Sequence, residues 1–177
     1  MGLIYITGTS GAGKSTVREE LSRRGARAYD TDEHEIAQWV NKVTGEITPL
    51  IADAHRTPEF LAQNDWTADP ERVRQLAKEG ETRTVFLCGF IGNEDEVWPF
   101  FETVFLLSID EATMRHRLLT RSAHDFGKKP HELELLLAWN EAVDDHYFDR
   151  GAIVIDATQP PPLVVDEILR ALQTASH

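Results

Sequence analysis

The sequence predicts an α/β fold in which helices cover both faces of a parallel sheet, three layers in all. Two observations predict it. Five short apolar runs alternate along the 177 residues with segments of helical periodicity, and strands separated by helices pair most simply in parallel. A glycine-rich segment also joins the first apolar run to the first amphipathic one, as a strand-to-helix turn requires.

The elements follow in order. LIYIT (3–7) reads as a buried strand, and Val17 and Leu21, four apart, mark a helix ending near Gly25. ARAYD (26–30) is a short strand, and a helix is expected from about Asp32 to Val40. Residues 41–69 have weak periodicity, with Pro49 and Pro58, and are expected to form an irregular, partly helical lobe. A helix near 70–79 leads to TRTVFLCGF (82–90), the most continuous apolar run and therefore a central strand. TVFLLSI (103–109) is a strand, Asp110 to about Arg121 a helix, and RSAHDFGKKP (121–130) a loop. Leu133, Leu136, Val143 and Tyr147 stripe a long helix, AIVID (152–156) is the last strand, and Val164, Ile168 and Leu172 fix the last helix.

Composition narrows the classes. At 41% hydrophobic and 27% charged residues, the chain suits a single soluble domain spanning 1–177 that needs no disulfide. The lone Cys88 lies in an apolar run, which fits packing in a reducing compartment. No stretch approaches the roughly 18 apolar residues of a membrane span. The N-terminal run is too short for a signal core, so a cytoplasmic location is expected. A net charge of −12 disfavours nucleic-acid backbones and anionic membranes as partners. His34, His55 and His146 lack metal-ligand spacing.

The chemistry is concentrated in ITGTSGAGKST. Gly8-Thr9-Ser10-Gly11-Ala12-Gly13-Lys14-Ser15 satisfies G-x-x-x-x-G-K-[ST] between a predicted strand and a predicted helix. Glycines let successive N–H groups point at phosphate oxygens, and the helix adds its positive dipole end. Gly8 to Thr16 are thus expected to hold ATP, with Lys14 reaching the β- and γ-phosphates and Ser15 reaching Mg²⁺. No aspartate has glycine three positions later, and Asn41-Lys42-Val43-Thr44 lacks the aspartate of a guanine-reading motif, so a GTP switch is disfavoured. Asp125-Phe126-Gly127 occurs without a His-Arg-Asp and is read as coincidence.

GTSGAGKST, DTD (30–32), the glycine-bearing end of the third strand, RLLTR (117–121) before a lid-like loop, and IDATQP (155–160) together resemble the small P-loop kinases. These are the nucleoside monophosphate kinases such as adenylate kinase, the shikimate kinases and the gluconate kinases. The resemblance covers essentially the whole chain and implies a five-stranded parallel sheet ordered 2-3-1-4-5. It also implies an acceptor-binding lobe at about 35–75 and a lid at about 121–132. It makes Asp30 the metal-side carboxylate and Asp32 the one facing the acceptor, although a helix-capping role for Asp30 with Glu33 is an alternative. It places Arg117 and Arg121, four apart on one helix face, at the adenine and the transferring phosphoryl group. Thr158, Gln159 and Pro160 fall beside the base, and Gly89 beside the acceptor. A solvated helix end for the arginines and an ordinary turn for 158–160 are the plain alternatives.

Trp39 and Trp66 could wall the acceptor, and Arg56, Arg72 and Arg74 could bind an acceptor phosphate. Core packing and solvation are the competing readings for both sets. Arg72 and Arg74 cannot share a helix face. The expected activity is transfer of the γ-phosphoryl of ATP, with Mg²⁺, to a small-molecule acceptor, carried out by a monomer or homodimer. The acceptor is a hydroxyl metabolite of the shikimate or gluconate type, a nucleoside or a nucleoside monophosphate. The alternative is a regulatory or assembly ATPase without such an acceptor.

Overall fold

The computed structural model describes residues 1–33, 36–49, 57–121 and 127–175. β1 (Gly2–Gly8) runs through a glycine-rich loop into α1 (Lys14–Arg23), and β2 (Arg27–Asp30) follows. Then come β3 (Ala37–Asn41), β4 (Ile47–Thr48), α2 (Pro58–Gln63), β5 (Asn64–Ala68) and α3 (Pro70–Gly80). β6 (Thr84–Cys88), α4 (Glu94–Val97), β7 (Thr103–Ser108), α5 (Glu111–Thr120), α6 (Pro130–Asp149), β8 (Ile153–Asp156) and α7 (Pro161–Ala175) complete the chain.

One sheet is parallel throughout, in the order β2-β6-β1-β7-β8. Numbered among its own five strands, that order is 2-3-1-4-5, as the resemblance implies. Strand alternation divides the core. Ile4 and Ile6 face Val17 and Leu21 of α1, Leu118 of α5 and Ile168 of α7. Leu3 and Tyr5 face Val73 and Leu76 of α3 and Val143 and Tyr147 of α6. Burying each such side chain contributes roughly 1.5–3 kcal/mol, so both helix layers are fastened by the same central strand. Cys88 is fully buried in this core, and burial pushes its thiol far above the ordinary range.

The region after β2 departs from the expectation. The helix expected from Asp32 to Val40 is replaced, over its described residues, by a turn and then strand β3, whose inward residues Ala37 and Trp39 are buried. The lobe is not irregular either, since β4-β3-β5 form a second, antiparallel sheet. Its hairpin is closed by Asn41, whose Oδ1 accepts from the N–H groups of Val43 and Thr44, and by Gly45 at φ +72°. Trp39 and Trp66 face each other across β3 and β5 with ring centroids 5.3 Å apart, and Phe60 packs edge-on at 5.1 Å. These rings form the lobe's own core. The lobe is tied to the main sheet through Asn93, whose amide donates to Ala68 O and accepts from Ala68 N–H, and by Gly92 N–H donating to Trp66 O.

Among the described residues, no helix is long and apolar enough to cross a membrane.

Candidate functional site

The register brings the ends of three strands level. Ile6 of β1 and Asp30 of β2 both pair with Cys88 of β6, so the glycine-rich loop, Asp30-Thr31-Asp32 and Gly89 lie at one edge, where open α/β sheets gather ligands. Gly89 has φ +151°, and a Cβ there would fall 1.9 Å from Thr31 Oγ1. Only glycine lets the ends of β2 and β6 approach this closely.

Gly13 caps α1 at φ +98°, a left-handed conformation that turns the loop into the helix. The Lys14 amine curls back and donates to the carbonyls of Gly8 and Thr9, at 2.7 and 2.9 Å. Burial pushes this ammonium down to about 8 from its ordinary 10.5, opposed by the negative charges of Asp30 and Asp32 and reinforced by Arg121. All four groups therefore share one electrostatic environment. Burial also raises the Asp30 carboxyl above the usual range, against a hydrogen bond from Asp32 N–H at 3.1 Å and the charge of Arg18. The bond to Asp32 and the one from Glu33 N–H to Asp30 O at 3.1 Å make a turn, so Asp30 caps no helix here. Asp32 itself is exposed at the mouth.

Two arginines from α5 and its C-terminal end, on the same face of the sheet as α1, reach the loop. Arg117 donates through Nη1 to the Gly11 and Ala12 carbonyls, each at 3.3 Å, and through Nη2 to Ala157 O at 2.9 Å. It thereby joins the phosphate loop to the strand-to-helix turn that carries Thr158, Gln159 and Pro160. Arg121 donates to Ser10 Oγ at 3.1 Å. Asp156 accepts from the Thr158 N–H and hydroxyl, shaping that turn, and the Pro160 carbonyl starts α7.

Other expected residues lie apart. Arg72 donates to Gln75 on its own helix, and Arg74 pairs with Glu71 and lies over the Phe100 ring. Arg56, His34, His55 and residues 122–126 of the lid expected at 121–132 fall outside the described residues. Gly127 N–H donates to Glu132, fixing the entry to α6.

The structure adds residues that the motifs did not reveal. Asn140 of α6 accepts from Thr9 Oγ1 at 2.7 Å and donates to Ile109 O at 2.8 Å, clamping the loop from α6. Its position among Leu133, Leu136, Val143 and Tyr147 makes it a polar residue on an apolar stripe, which is a readable signal. Arg18, four residues after Lys14, reaches Asp30; helical spacing would have found it. Buried Glu94 accepts from Tyr5 and Tyr147 beneath the site, and nothing in the sequence pattern marks it.

No three His, Cys, Asp or Glu among the described residues converge on a point that could cage a metal. The donors present, the Ser15 hydroxyl and the Asp30 carboxylate, suit Mg²⁺ shared with nucleotide phosphates and water, which needs only one or two protein oxygens.

A family model described as an AAA domain matches residues 4–149. No curated protein sequence matches the chain. Solved structures similar to it include a sugar kinase from Janibacter sp., at 18% identity and a TM-score of 0.58 over 98% of this chain and 95% of that one. Shikimate kinase from Aquifex aeolicus aligns at 22% identity and a TM-score of 0.56, covering 98% of each chain. Deoxyadenosine kinase from M. mycoides, solved with dATP, aligns at 16% identity and a TM-score of 0.57 over 98% of this chain and all of the other, 100%. At these identities the likeness speaks for the fold.

Proposed function

The chain belongs to the AAA domain family and has the P-loop kinase fold, and on that footing we propose that it moves the γ-phosphoryl of ATP to a hydroxyl of a small-molecule acceptor. One observation carries the reading: a mostly buried Lys14 shares its surroundings with two carboxylates from the end of β2 and an arginine from α5's end. An NTP-binding loop alone uses one carboxylate for its metal and has no need of a second. Their position suits a second substrate opposite the γ-phosphate.

The loop N–H groups and the α1 dipole would cradle the β-phosphate, while Lys14 exchanges the Gly8 and Thr9 carbonyls for phosphate oxygens. Mg²⁺, held by Ser15 and Asp30 with the nucleotide, would supply charge neutralisation on the β- and γ-oxygens. Asp32 takes the proton of the acceptor hydroxyl as its oxygen bonds to the γ-phosphorus. The bond to the bridging oxygen breaks and ADP leaves with that electron pair. Arg117 and Arg121 stabilise charge on the transferring group and close the adenine side along 158–160. Gly89, with Thr31 filling its side-chain space, offers its backbone to the acceptor, and Arg56 is the acceptor-side cation, Arg72 being engaged by Gln75 on its own helix. Shikimate- or gluconate-like hydroxyl metabolites lead the acceptor classes, ahead of nucleosides and their monophosphates.

A thermal-shift screen of metabolites beside a non-hydrolysable ATP analogue tests this, because a true acceptor raises the melting temperature with the logarithm of its concentration. With that acceptor, Asp32→Asn should lose transfer about 10²-fold or more while ATP affinity stays within about twofold. ATP hydrolysis indifferent to every acceptor would overturn the proposal in favour of a regulatory ATPase.

A further inference from the structure

Arg18 lies one turn beyond Lys14 on α1, on the same face. Its Nε is 3.8 Å from Asp30 Oδ2, and its Nη2 is 3.7 Å from Glu33 and 3.9 Å from Glu19. That Nε is buried and makes no hydrogen bond among the described residues. The other oxygen of the same carboxylate, Oδ1, accepts from Asp32 N–H at 3.1 Å. Asp30 is thus gripped from two directions, by the backbone of its own turn and by a cation from α1. Neither side chain is far into water, at 22% exposure for Arg18 and 14% for Asp30, so solvent screens the pair only in part.

We infer that Arg18 is a positioning residue that fixes the Asp30 carboxylate toward the phosphate loop for the metal that accompanies the nucleotide. The inference rests on the metal role assigned to Asp30 above and adds to it a residue no motif contains. A planar guanidinium suits the task because one fork spans Asp30 and Glu33 together, where a lysine would meet one at a time. Its positive charge does not turn the metal away, because Asp30, Glu33 and Glu19 surround it with three negative charges. The same three charges offset that of Arg18, so an anionic acceptor gains little from it.

Mn²⁺ binding to the ADP complex, read from the free-ion electron paramagnetic resonance signal, tests this without any acceptor. Arg18→Ala should weaken Mn²⁺ about tenfold, the low end for losing the outer partner of a metal ligand. Metal-free ADP affinity should stay unchanged, and Arg18→Lys should recover part of the loss. Asp30→Asn should weaken Mn²⁺ at least as much, and the double variant no further than Asp30→Asn alone. Unchanged or tighter Mn²⁺ binding in Arg18→Ala would overturn the inference. So would multiplying losses in the double variant, an equal fall in metal-free ADP affinity, or wild-type binding in Asp30→Asn. Absence of phosphoryl transfer would count against the transferase reading and leave this result standing.

Discussion

Nucleotide binding near pH 8 should draw a proton onto Lys14. Without nucleotide, burial holds this ammonium at about 8 rather than 10.5, its amine tied to the Gly8 and Thr9 carbonyls. About half the molecules therefore carry a neutral amine at that pH. A triphosphate against the nitrogen favours the charged form, so binding takes up about half a proton at pH 8 and approaches one as pH rises. Affinity then falls by up to about tenfold, or about 1.4 kcal/mol, per pH unit well above 8. Calorimetric titration in two buffers of different ionisation heat reads the uptake, and at this pH phosphate oxygens are already ionised. Lys14→Arg keeps its proton throughout and should bind without uptake. Equal uptake in that variant, or none in the wild type, would refute the reasoning. The sign for stability follows. The unfolded chain keeps the proton up to about 10.5 and the folded chain releases it from about 8, so the nucleotide-free fold gains stability as pH rises through that window. The gain is at most roughly 3 kcal/mol.

Gly89→Ala should destabilise the fold by about 2 kcal/mol or more in urea titration, because its Cβ meets Thr31 and the backbone is left-handed there. Asn140→Ala should weaken nucleotide binding about fivefold by releasing Thr9 from α6, a loss of about 1 kcal/mol readable by calorimetry. Glu20 is held at about 2, below its ordinary 4.5, by hydrogen bonds from Arg23 and Arg24. Its contribution is present above pH 4.5 and lost as pH falls toward 2, so Glu20→Gln should flatten the acid limb of a melting-temperature profile.

The main sheet was legible because its signals are local: buried strands read as apolar runs, and the glycine loop carries its own backbone requirement. The second sheet was not. Its strands are held by partners distant in sequence, such as Asn93 on Ala68 and Gly92 on Trp66, which no window reveals. Even so, Asn41 and Gly45 flanking a short turn between β-branched and aromatic residues are hairpin chemistry. In the site, the loop, Asp30, Asp32, Arg117 and Arg121 followed from motif and resemblance, and the structure brings them together. Arg18 and Asn140 needed helical spacing, and Glu94 needed the fold itself, since its partners Tyr5 and Tyr147 lie 89 and 53 residues away.

The most direct measurement of whether this is a transfer site is the fate of the γ-phosphoryl group. Terminally labelled ATP, Mg²⁺ and the purified protein are incubated with a deproteinised small-molecule extract, and the products are separated. The account predicts label in a new phosphorylated metabolite, formed by the wild type and abolished in Lys14→Ala. Label appearing solely as inorganic phosphate, at a rate the extract does not change, would contradict it.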